Sequence, residues 1–234
     1  MENVKRMGLH GLKLQKNKVE EREYESYEEI THAVTHGAGA LLGVVGFILL
    51  LIKTSGSGFL NVFSVAVYGI SLVVLYSASC AYHTCCAVYG SYQPSRVRDF
   101  FMKCDHSMIF FLILGTYTPA CLSAMRGFVG YTVFALVASC CVLGVILNVI
   151  SVERFHKISL VLYLVTGWSI VVALYPYYQA VGSEGIAFLV LGGILYTVGF
   201  LFYKMQHIKN MHIIWHLFVI AGSVMHYIMV YGFC

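Results

Sequence analysis

Two histidines four residues apart, His212-Ile-Ile-Trp-His216, and a third preceded by a serine at the same interval, Ser79-Cys-Ala-Tyr-His83, are the residues whose types and spacing suit chemistry. Residues four apart on a helix differ by only about 40° of rotation and about 6 Å of rise, so each pair shares a face. Three imidazoles form a ligand set that zinc favours, with a fourth position left for water. Asp105, in Cys104-Asp105-His106-Ser107, is a carboxylate able to accept a proton beside such an ion, and Ser79 a hydroxyl able to hydrogen-bond a developing oxyanion. A plainer reading stays open, in which the spaced histidines only pack or face solvent. His226 lies fourteen residues beyond His212, about 21 Å along a helix, and reads as a histidine hydrogen-bonded inside a bundle.

The elements that must position these residues are membrane helices. Of 234 residues, 59% are hydrophobic and 11% charged, against roughly 25% charged in soluble domains. Seven apolar stretches, near 33–52, 60–82, 105–124, 131–150, 158–176, 186–203 and 212–233, each approach the ~20 residues a helix needs to cross ~30 Å of hydrocarbon. The expected fold is therefore all-α, a bundle of seven transmembrane helices over residues 30–234, preceded by a mobile polar tail over 1–29, with a short surface helix at most. That tail has no apolar core of a signal peptide, so the first span directs insertion. Seven of the eleven acids lie before residue 30, which leaves Asp105 as the one acid inside a predicted span; intramembrane acids are functional candidates by default. No basic stripe interleaved with aromatics appears, which argues against nucleic acid as a partner and leaves the lipid bilayer, with a lipid as substrate or ligand. None of the eight cysteines forms a CxxC pair, so they read as small buried hydrophobes, with Cys85, Cys86 and Cys104 near one face.

Thirteen of the fifteen Lys and Arg lie in the tail and in loops 83–104, 151–157 and 204–211, and only Lys53 and Arg126 lie opposite. Cytoplasmic loops keep the excess of positive charge. The N-terminus is thus expected in the cytoplasm and the C-terminus outside. With that topology the end of the second span and the starts of the third and seventh meet at one cytoplasmic depth, which carries Ser79, His83, Asp105, His212 and His216 to a common level. Gly39 and Gly43 form a small-xxx-small pair suited to close helix contact, and Pro119 is expected to kink the third span.

Five segments, Glu29-Ile-Thr-His-Ala-Val-Thr-His36-Gly37, Ser79-xxx-His83, Cys104-Asp105-His-Ser-Met-Ile-Phe110, Gly115-Thr-Tyr-Thr-Pro119 and His212-xxx-His216, together resemble the hemolysin-III family, within the progestin and adipoQ receptor superfamily. The resemblance covers about residues 27–233. It implies seven helices around a zinc ion held by three histidines, matching His83, His212 and His216, with Asp105 holding the water on that zinc and Ser79 in support. His32 departs from the pattern, because the family commonly has asparagine there. Relatives in the superfamily include adipokine and steroid receptors, proteins similar to alkaline ceramidases, and a bacterial branch named for cytolysis. Three functions follow as expectations: a zinc-dependent hydrolase of lipid amides or esters, a receptor or membrane scaffold with structural zinc, and a lytic or transport protein.

Overall fold

The first helix opens on its own polar residues. Glu25 and Glu28 form a reciprocal capping box, and α1 runs Ser26–Thr54, satisfying backbone N–H groups that would otherwise be orphaned. In this computed structural model, which describes residues 23–90 and 95–233, there follow α2 (Phe59–Tyr89), α3 (Arg96–Thr118), α4 (Phe128–Ile150), α5 (Val152–Gly167), α6 (Leu174–Lys204) and α7 (Met211–Phe233). Every element among the described residues is helical. The expected mobility and surface helix of the tail fall largely on residues 1–22, outside those described, as do its six basic residues.

Six helical stretches are long and apolar enough to cross a membrane. One of them, Val152–Lys204, takes in the predicted spans at 158–176 and 186–203. It passes through a 3-10 segment at Trp168–Ala173 and is interrupted at Gly182, whose φ of 69° is a left-handed conformation open to glycine. Its two arms touch side by side: Trp168 Nε1 donates to Thr197 Oγ1 at 3.0 Å, and the His156 and Tyr203 rings lie 5.8 Å apart. A continuous helix would separate residues 156 and 203 by about 70 Å.

Outward faces are apolar, as with Leu41, Val172 and Phe128, whereas the interior holds Glu28, His32, His83, Asn148 and His216 at 1% exposure or close to it. That inversion is what a hydrocarbon solvent selects, because it removes the incentive to hide apolar surface and raises the cost of polar groups facing out. The buried stripe of α1, Glu29, His32, His36, Gly39, Gly43, Gly46 and Leu50, recurs every three or four residues. Along it α1 lies close against α2: a Cβ on Gly39 would stand 2.9 Å from the Tyr76 ring, and one on Gly43 3.4 Å from the Val73 backbone. At Pro119 the third helix passes into a π-helical turn, Pro119–Ala124, a wider winding that accommodates the residue lacking a donor.

Candidate metal centre

One end of the bundle is tied together before any functional side chain enters. Glu28 accepts from its own cap, the Glu25 N–H, at 3.0 Å and from the Asn210 N–H at 2.9 Å. Asn210, at φ 64°, directly precedes α7. Tyr27 donates to Asn210 Oδ1 at 2.7 Å, Tyr24 to Gln206 Oε1 at 3.1 Å, and Lys209 bonds Glu25 at 2.9 Å. The Glu25 carboxylate thereby raises the Lys209 ammonium pKa. These bonds fix the first turn of α1 against the start of α7 and so set where His212 and His216 point.

His83 from α2 and His212 and His216 from α7 come together. Their candidate ligand atoms lie within 4.8 Å of one another, with ring centroids 5.4, 5.0 and 4.8 Å apart. Ser79 is buried one turn before His83 on the same helix. Asp105 is a different case. Its side chain is 17% exposed, its carboxylate stands 3.8 Å from His106 Nδ1, and it belongs to neither close set of ligand atoms.

The second such set is Glu29, His32 and His83, all buried. It corrects the reading of Asp105 as the one acid inside a span, since Glu28 and Glu29 are 0% and 2% exposed within α1. Glu29 Oε2 is 2.7 Å from His83 Nδ1, so a proton on Nδ1 donated to the carboxylate leaves Nε2 with its lone pair. A histidine oriented by a carboxylate in this way is the usual arrangement of a metal-bound imidazole. The His32 ring lies 4.7, 4.8 and 5.0 Å from those of His83, His212 and His216. His36 stacks on His216 at 3.6 Å with the planes 11° apart, and Thr35 Oγ1 is 3.3 Å from His216 Nδ1.

Among the described residues, both nitrogens of His32, Nε2 of His83 and Nδ1 of His212 are buried without a hydrogen-bond partner. Leaving so many polar atoms unpaired costs about 1–3 kcal/mol each. A cation that takes nitrogen donors removes that cost, so the residues fit a metal ion. His226, in contrast, sits apart, with Nε2 3.1 Å from the Leu189 carbonyl oxygen, as expected of a histidine bonded inside the bundle. Sequence reasoning missed Glu29, His32 and His36 as site residues because it began the first span at the apolar run. Their spacing of three and four, continuous with Gly39, Gly43 and Gly46, was the signal that could have found them.

Known proteins match most of the chain. A family model described as "Haemolysin-III related" matches residues 24–227. The chain is 40% identical over 199 residues to "Hemolysin-3" of Bacillus cereus, covering 85% of this chain and 88% of that protein. It is 36% identical over 208 residues to "Hemolysin-3 homolog" of Bacillus subtilis, covering 88% and 94%. A more distant similarity, 26% over 209 residues, links it to "Monocyte to macrophage differentiation factor" of Homo sapiens, over 86% of this chain and 82% of that one.

Proposed function

The chain belongs to the haemolysin-III-related family and is an integral, multi-pass membrane protein; on that premise we propose that it holds a zinc ion through His83, His212 and His216 and hydrolyses a lipid amide or ester. The observation that carries the zinc reading is the convergence of three imidazoles from two helices, with His83 Nε2 and His212 Nδ1 buried and unpaired. Nitrogen donors at this spacing suit zinc better than the hard cations, which take oxygen. When bound, zinc polarises a carbonyl and lowers the pKa of water it holds toward about 7.

The chain's own residues have separate tasks. Glu29 keeps the His83 ring in one orientation, and Asp105, at the same end of the bundle, is the base that takes a proton from the attacking water. Ser79 is the hydroxyl placed to donate toward the carbonyl oxygen. A centre sunk among helix ends in hydrocarbon suits a lipid arriving sideways.

We place this end in the cytoplasm, with segment 1–29 on that side, its last four residues forming the first turn of α1. Seven crossings are supported by the break at Gly182 and by the side-by-side arms around it. The thirteen-to-two distribution of Lys and Arg then puts the C-terminus outside. The name of the Bacillus cereus relative raises a second reading, membrane lysis, which release of a dye from vesicles tests directly. The test of the first reading is metal analysis of purified protein beside the single substitutions His83→Ala, His212→Ala and His216→Ala, followed by mass spectrometry of lipid amide and ester substrates. One zinc per chain, lost in the variants, with fatty acid released by the wild type, is the expected result. Full zinc in all three variants overturns it.

A further inference from the structure

We propose that His32 is a fourth imidazole ligand of the centre, which extends the zinc reading of the same site from α2 and α7 to α1. Four rings, those of His32, His83, His212 and His216, have six mutual centroid distances, and all fall between 4.7 and 5.4 Å. An imidazole nitrogen binds zinc at about 2.0–2.1 Å, which puts the ring centroid about 3.2 Å from the ion and spaces four tetrahedral centroids by about 5.2 Å. The four rings therefore already lie near the corners of the tetrahedron that a four-imidazole zinc site requires.

Burial points the same way. His32 is 0% exposed, neither ring nitrogen has a hydrogen-bond partner, and the nearest carboxylate oxygen, of Glu29, stands 3.7 Å from its Nδ1. A fully buried imidazole with two unpaired nitrogens among three others is costly unless it bonds something between them. His36 shares the burial but not the geometry. Its ring lies face-on to His216, and the in-plane lone pairs of parallel rings do not converge on one ion. The His32 nitrogens now stand closest with Glu29 and His83, so coordination turns the ring about χ2, a broad torsion in histidine.

The consequence concerns the fourth position. With His32 bound the ion has four protein ligands, the closed arrangement of structural sites. A substrate carbonyl or a water then reaches the ion only when His32 leaves it, and α1 becomes the element that controls access.

X-ray absorption on the purified, zinc-loaded wild type in nanodiscs counts the imidazole ligands directly and needs no activity. Four imidazoles are expected, falling to three plus one oxygen in His32→Asn, with zinc affinity by chelator competition lower by at least about tenfold. His36→Ala is expected to keep four imidazoles. Three imidazoles plus one oxygen in the wild type, with unchanged affinity in His32→Asn, overturns the role of His32 while leaving the three-histidine site standing. A wild type that binds no zinc overturns both.

Discussion

Replacing Glu29 tests whether the head of α1 supports the centre, and the size of the effect can be worked from one contact. Glu29 and His83 are each 2% exposed, and the carboxylate accepts from His83 Nδ1 at 2.7 Å. Glu29→Ala leaves that N–H buried without an acceptor, at about 1–3 kcal/mol, or roughly five- to a hundredfold in zinc affinity at about 1.4 kcal/mol per decade. The range agrees with the ten- to hundredfold found for carboxylates behind metal-bound histidines. Glu29→Gln keeps an acceptor of the same shape but removes its charge, and charge-assisted bonds are about twice as strong as neutral ones. It should therefore fall between wild type and Glu29→Ala. Competition against a chelator of known affinity, on protein in nanodiscs, measures all three, and thermal unfolding of the zinc-free proteins checks that each is folded. Equal affinity in wild type and both variants would refute the orienting role of Glu29.

His226→Ala should retain zinc, since His226 is bonded to the Leu189 carbonyl and lies outside the cluster; metal analysis decides it, and zinc loss would displace the site. Asp105→Asn should keep zinc, because the carboxylate is in neither ligand set, while any lipid hydrolysis drops by on the order of a hundredfold; unchanged turnover removes Asp105 from the mechanism. Gly39→Val should destabilise the bundle by about 1–3 kcal/mol, because a Cβ there meets the Tyr76 ring at 2.9 Å, and a thermal melt in detergent with an unchanged midpoint would count against the close α1–α2 contact. A reporter fused after Cys234 should read on the side of the membrane opposite the cytoplasm, and a cytoplasmic reading would reverse the proposed topology.

Membrane architecture was legible because it depends on sums over residues. Twenty apolar positions in a row outweigh any local irregularity, so six membrane-capable helices lie where the hydropathy put seven stretches. Where two stretches adjoin, Gln179 and Gly182-Ser-Glu-Gly185 mark a gap between residues 176 and 186, but the shape of the break depends on the φ of 69° at Gly182, a property of conformation that composition does not carry. The π-helical turn was half visible: Pro119 announces a disturbance, but whether the chain kinks or widens depends on neighbours that the sequence does not place.

The site divides along the same line, and the acids show why. Counting charged residues treats a carboxylate in hydrocarbon as a cost of several kcal/mol, which singles out Asp105 within an apolar stretch and assigns Glu28 and Glu29 to the tail. The cost, however, belongs to an unpaired carboxylate. Glu28 accepts two backbone N–H groups and Glu29 accepts from His83, so both are buried more completely than Asp105, which keeps partial exposure at 17%. Partners on other helices are invisible to a window that slides along one segment, whereas a helical face is not. The interval of three and four residues from Glu29 through His32 and His36 to Gly39 holds whether the positions are acidic, basic or bare. Periodicity read without regard to hydrophobicity would have carried α1 back to its true start and placed Glu29 and His32 beside the three histidines.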